Sequence, residues 1–172
     1  MKKPTHYIDN IKFYENMTDW IKGVREAQNA DEKNPPITNY IGECFMSIAE
    51  NLSKKGNFIK YPFRDDMISD AIENCVMYAH NFDPDKSKNP FSYFTQITYF
   101  AFLRRIEKEK KQMYIKYKLM EQHPDSTLSW YKENYFEKKK EENIDDALKK
   151  EFELTDKDIE KFGSSSKKKG KK

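Results

Sequence analysis

The chain is 172 residues long, about one domain's worth, with 35% charged residues, 37% hydrophobic residues and five glycines. That mixture favours charged helices around a modest core over a large α/β domain, which would need more glycine in tight turns. The net charge of +3 hides a sorting along the chain: five lysines fall within 167–172, and everything before them sums to −2.

No apolar run approaches the roughly 20 residues that span a bilayer, and the polar N-terminus does not read as a signal peptide. Cys44 and Cys75 lack the spacing of a metal site or a disulfide framework. Both fall on apolar helix faces and read as buried thiols in a reducing compartment.

In chain order, the first predicted helix covers 11–28, where Phe13, Met17, Trp20, Ile21 and Val24 recur at helical spacing. Asn34, Pro35 and Pro36 break the chain. The second helix covers 37–55, with Ile41, Cys44, Phe45, Ile48, Ala49 and Leu52 on one face. A polar and aromatic connection follows over 56–63. The third, 64–80, has the cleanest period: Met67, Ile68, Ala71, Ile72, Cys75, Val76 and Ala79. It stops at Asn81-Phe82-Asp83-Pro84, because proline biases its predecessor away from the helical region. The fourth starts at Asn89-Pro90, a good N-cap with proline in the first turn, and runs to about 119. Pro124 separates a charged C-terminal part. Within it one short helix is predicted after the Thr155 N-cap, with Asp158 three residues on and Gly163 as its stop. The reading is all-α: an N-terminal helical segment 1–36, a central domain 37–120, a charged helical part 121–163 and a disordered lysine-rich tail 164–172.

Two helix faces stand out. On the third helix, Asp66, Asp70 and Glu73 follow at spacings of four and three and stack on one side. Asn74 and Met77 border them. An ordinary solvated face explains this row; so does a docking site for a basic partner, with Met77 as an adaptable apolar contact. On the fourth helix, six aromatics fall between positions 91 and 102: Phe91, Tyr93, Phe94, Tyr99, Phe100 and Phe102. They point to more than one side of a helix. Arg104, Arg105 and Lys108 open the basic run behind them. Rings leading into cations suit single-stranded nucleic acid, whose bases stack at roughly 1–3 kcal/mol each while Lys and Arg hold phosphate. A wide core helix with a solvated basic end is the alternative.

Catalysis has little material. His6, His80 and His123 are scattered, no zinc spacing is present and there is no glycine-rich phosphate loop. The expectation is a non-enzyme without metal or cofactor.

Asp66-Met67-Ile68-Ser69-Asp70, Phe82-Asp83-Pro84-Asp85-Lys86 and Phe91-Ser92 together resemble region two of bacterial sigma factors. The chain is most similar in look to the late-transcription sigma factors of T-even-type bacteriophages. The shared residues include Ile48-Ala49-Glu50, Asn57-Phe58, His80-Asn81-Phe82-Asp83, Lys88-Asn89-Pro90, Thr95-Gln96 and Arg105-Ile106. The likeness covers about 37–112.

The resemblance implies a compact helical bundle of sigma region-two type over 37–120. It implies docking on the clamp-helices coiled coil of the RNA polymerase β′ subunit through Asp66, Ser69, Asp70, Ile72 and Val76, with Glu73 added by its place in the acidic row. It further implies capture of the non-template strand of an AT-rich minus-ten-type promoter by the fourth helix. That carries over to the helix holding Phe94, Ile97, Thr98, Tyr99, Ala101, Arg104 and Arg105, to which Tyr93 and Lys108 are added by their chemistry. Typical bacterial sigma factors carry two tryptophans at Ile97-Thr98 and a glutamine at Ala101, so Tyr93, Phe94 and Tyr99 become the base-stacking candidates. A helix-turn-helix for a minus-thirty-five element is not read. Phage late factors carry a C-terminal sliding-clamp epitope, for which Ile159 and Phe162 are the nearest residues here; a terminal helix staple explains them equally. The expected location is the cytoplasm of an infected bacterium. Two other classes remain open at this point: a polymerase-binding adaptor that makes no promoter contact, and a generic single-strand-binding helical protein.

Overall fold

In a computed structural model, which describes residues 7–122 and 153–169, the chain is all-helical. The described helices are α1 (Asn10–Asn29), α2 (Asn39–Ser53), α3 (Arg64–Tyr78), α4 (Pro90–Gln122) and α5 (Asp156–Lys169), with a 3₁₀ turn, Ala79–Asn81, after α3. No described helix is long and apolar enough to cross a membrane. The chain divides into two compact units, Met1–Arg105 and Ile106–Lys172, and the division falls within α4.

The helix ends follow from local chemistry. Asp9 caps α1, its carboxylate accepting from the N–H groups of Ile11 and Lys12 at 3.0 and 3.2 Å. The C-terminus of α1 closes before the Asn-Pro-Pro break. Asp31 takes a left-handed φ of 57°, Asp31 N–H reaches Gln28 O and Glu32 N–H reaches Ala27 O. Trp20 then holds the following segment, its indole N–H donating to Pro35 O and Pro36 O at 3.2 and 3.0 Å. Asn89 caps α4 as expected, accepting from Ser92 N–H at 3.0 Å.

An aromatic and aliphatic cluster lies at the core of the first unit. Phe13, Met17 and Ile21 come from α1, Ile41, Cys44, Phe45 and Ile48 from α2, Cys75 from α3 and Phe94 from α4, with Phe82 from the turn. Each fully buried side chain of this kind contributes roughly 1.5–3 kcal/mol. α1 therefore supplies a wall of the same core as the helices that follow it. Its outer end is tied to the turn before α4. Arg25 lies 3.2 Å from Asp83 and 3.3 Å from Asp85, and the Tyr14 hydroxyl donates to Pro84 O at 3.1 Å.

The third helix departs from its expected stripe. Met67, Ala71 and Cys75 are buried, a row at steps of four, and Ile68 and Ile72 are half-buried. Val76, expected on the apolar stripe, is 47% exposed. A strict four-residue row turns only slowly around the helix, so α3 buries a narrow edge and leaves Val76 outside it.

In the second unit, Tyr114, Tyr117, Leu154 and Phe162 form a small cluster, with Met113, Met120 and Ile159 packed against it. Thr155 and Asp158 form a reciprocal cap: Thr155 N–H donates to the Asp158 carboxylate at 3.1 Å and Asp158 N–H to the Thr155 hydroxyl at 3.3 Å. The expected stop at Gly163 does not occur. α5 continues to Lys169, so 164–169 of the tail expected to be disordered are helical. Gly163 serves close approach instead, since a Cβ there would sit 3.2 Å from the Tyr114 hydroxyl. The remainder of the expected charged part and tail, 123–152 and 170–172, lies outside the described residues.

Candidate functional site

The aromatic helix α4 sorts its residues by face, and the sorting overturns part of the expected nucleic-acid set. Phe94 is fully buried, 4.5 Å ring to ring from Phe45, 5.8 Å from Phe13 and 6.1 Å from Phe82. Thr98 is also fully buried; its hydroxyl lies 3.5 Å from the Cys75 sulfur. Burial pushes the Cys75 thiol up to about 11, which keeps it protonated and inert, although its bond to Thr98 pulls the other way. Phe94 and Thr98 are core residues and offer no face to a base. Ile97 and Tyr93 are half-buried against the same core, Tyr93 stacking on Phe82 at 5.4 Å.

Arg105 is corrected as well. Its side chain is 15% exposed, and its Nε and Nη2 lie 2.8 and 3.2 Å from the two carboxylate oxygens of Asp70. Nη2 also approaches Asp66 to 3.7 Å. Next to it, Arg104 donates to the Asn74 side-chain oxygen at 2.7 Å. Expected phosphate-gripping and polymerase-docking residues therefore meet one another between α3 and α4. Breaking a largely buried ion pair leaves an uncompensated charge and destabilises strongly, so the Arg105–Asp70 contact is in the first place a structural clasp.

The residues left exposed make two surfaces. On α4, Gln96, Tyr99, Phe100 and Leu103 follow at steps of three, one and three and lie opposite the buried row. Tyr99 is 38% and Phe100 47% exposed, their rings 5.8 Å apart and nearly perpendicular. Tyr99 also leans edge-on against Phe58 at 5.7 Å. Arg104, exposed, borders this row. The sequence reading omitted Gln96, Phe100 and Leu103 from the site; counting 100° per residue from the buried row would have found them. Lys108 is exposed too, in the second unit.

On α3, the outward side carries Asp65, Asp66, Ser69, Glu73, Val76 and Met77, with Ile72 half-buried among them. Three carboxylates around exposed apolar groups suit a partner that is both basic and apolar. Of the expected docking residues, Ser69, Ile72, Glu73 and Val76 point into this face, Asp66 stands at its edge, and Asp70 is drawn toward Arg105.

Ile159 and Phe162 are not an open epitope. Phe162 is buried and its ring lies 5.8 Å from Tyr114, while Ile159 is half-buried beside it. Ion pairs of Lys110 with Asp158 and Lys161 with Glu107, at 2.9 and 2.8 Å, flank that packing. Both residues pack into the small cluster of the second unit.

Among the described residues, no group of His, Cys, Asp and Glu side chains is arranged to hold a metal ion. Neither a protein-family model nor a curated protein matches the chain.

Proposed function

We propose that this chain is a non-enzymatic sigma factor of phage late-transcription type, working in the cytoplasm of an infected bacterium. It docks on bacterial core RNA polymerase and presents α4 to the non-template strand of an AT-rich minus-ten-type promoter. The observation that carries the reading is the solvent-facing row Gln96, Tyr99, Phe100 and Leu103, bordered by Arg104, on a helix whose other aromatics fill the core. Two adjacent exposed rings and a leucine on one helix face form an apolar surface open to a ligand. Flipping a base out of the stack costs a few kcal/mol, and each exposed ring returns roughly 1–3 kcal/mol by stacking. Two rings therefore suffice to hold one or two unstacked bases once the polymerase has placed the protein.

The docking role falls to α3. Glu73, Ser69 and Val76 at its centre meet a basic, partly apolar coiled coil such as the β′ clamp helices. Glu73→Arg combined with Val76→Glu is expected to abolish co-purification with core polymerase while leaving the urea unfolding midpoint unchanged. Undiminished co-purification would contradict the α3 assignment.

The loss of Phe94, Thr98 and Arg105 to the fold strengthens one rival, a polymerase-binding adaptor without promoter contact. Phe100→Ala separates the two: it harms promoter opening by a sigma factor and leaves an adaptor unaffected.

A further inference from the structure

The connection between α2 and α3, residues 54–63, is built more firmly than a linker requires. Its base is closed by a hydrogen bond from Arg64 Nε to the fully buried Ser53 hydroxyl at 2.9 Å, and that hydroxyl donates in turn to Glu50 O at 2.7 Å. Inside the loop, the N–H groups of Phe58 and Ile59 both reach Lys55 O, at 2.8 and 3.0 Å, and Tyr61 N–H reaches Phe58 O at 3.2 Å. Phe58 is buried and anchors the loop against α4, with Phe102 at 5.1 Å and Tyr99 at 5.7 Å. The loop is thus fixed directly beside the exposed ring row.

What this loop displays is cationic. Lys54, Lys55 and Lys60 are exposed, as is Asn57, and residues 51–64 contain no acidic side chain. The three lysines make no ion pair among the described residues. The C-terminal end of α2 accounts for Lys54 and Lys55 through the helix dipole, but Lys60 lies beyond its reach. In a chain where 29 acidic residues are available, three unpaired lysines on a braced loop next to two exposed rings are a polarised surface.

We propose that residues 54–60 form a phosphate-binding loop that completes the α4 site, so that single-stranded DNA is held by two elements. Bases stack on Tyr99 and Phe100 while Lys54, Lys55 and Lys60 take the backbone phosphates. The inference rests on the nucleic-acid reading of α4 given above and adds residues that lie outside the fourth helix. It also sets the arrangement: the strand's backbone runs along the α2–α3 side of the ring row.

The test is fluorescence anisotropy of the full chain with a labelled AT-rich single strand of roughly 12 nucleotides, within the span such surfaces cover, over a salt series. For single strands the slope of log K against log salt is about −0.7 per phosphate neutralised. Lys54→Gln, Lys55→Gln and Lys60→Gln together should flatten the slope by about 2 and weaken binding about tenfold or more at moderate salt. The lysines of 167–172 are present in every protein compared, so their contribution cancels. Lys60→Glu alone should weaken binding further than Lys60→Gln. An unchanged slope and affinity in the triple variant, with binding still lost in Tyr99→Ala/Phe100→Ala, would overturn the loop proposal and leave the α4 reading standing. No binding by the unsubstituted chain would withdraw both.

Discussion

The two faces of α4 are made of similar residues and do different things. Phe94, Thr98, Ala101 and Phe102 are sealed in the core, whereas Tyr99, Phe100 and Leu103, interleaved with them, stand in solvent. Aromatic density along a helix is the sum of what the core needs and what the surface offers. It has to be divided by face before any ring is given to a ligand. Here the division removes Phe94 from the proposed nucleic-acid set and leaves Phe100 as an exposed candidate.

The widest separation between the faces should appear in stability. Phe94→Ala removes a ring packed against four aromatic neighbours and is expected to cost about 3–5 kcal/mol in urea unfolding. Phe100→Ala should stay within about 0.5 kcal/mol of the unsubstituted protein. Equal losses from the two would erase the distinction between the faces.

The next effect concerns the clasp between α3 and α4. Asp70→Lys sets a cation against Arg105, whose side chain is 15% exposed, and should destabilise the fold by about 2–3 kcal/mol. Asp70 is a third exposed, which holds the figure below that of a fully buried pair. Glu73→Lys, on the outward side of the same helix, should leave stability nearly untouched. An Asp70 substitution therefore mixes folding with any docking effect, and Glu73 is the cleaner probe of the proposed partner surface.

Binding comes third. Tyr99→Ala and Phe100→Ala should each lower affinity for single-stranded DNA by about 1–3 kcal/mol, measured by anisotropy, while circular dichroism stays unchanged. A loss confined to one of them would identify which ring carries the stacking.

The smallest effect tests the turn that leads into α4. The Asp83 carboxyl is held below the usual carboxylate range, first by the N–H of Asp85; burial pushes it upward, and Lys86 and Arg25 add to the lowering. A depressed value means that this stabilisation is present above about pH 4 and is lost as pH falls through the folded-state value. Asp83→Asn should flatten the acid side of the stability profile, followed by thermal unfolding between about pH 5 and pH 2. An acid limb identical to that of the unsubstituted protein would remove Asp83 from the account.

Much of the fold was legible because its signals are local. The helix beginning at Arg64, the Asn89 cap and the Thr155–Asp158 pair each need only a few neighbouring residues, and all three are present. What was not legible depends on where helices meet. Nothing near Arg105 in sequence says that Asp70, thirty-five residues away, will occupy it. Gly163 looks like a helix stop, yet α5 runs through it to Lys169, with the Tyr114 hydroxyl close beside it. Val76 fits an apolar stripe on paper, and only the narrow contact made by α3 exposes it. The candidate site was thus half visible: its helix could be read, whereas dividing that helix into faces needed the buried row of Phe94, Thr98, Ala101 and Phe102.

The most direct test of the central claim is run-off transcription with bacterial core polymerase on a template whose only promoter feature is an AT-rich minus-ten-type element. Specific initiation that requires this protein, falls with Phe100→Ala and is abolished by Glu73→Arg with Val76→Glu is the predicted result. Absence of a specific transcript, from a protein that still binds core polymerase, would contradict the sigma-factor account and leave an adaptor in its place.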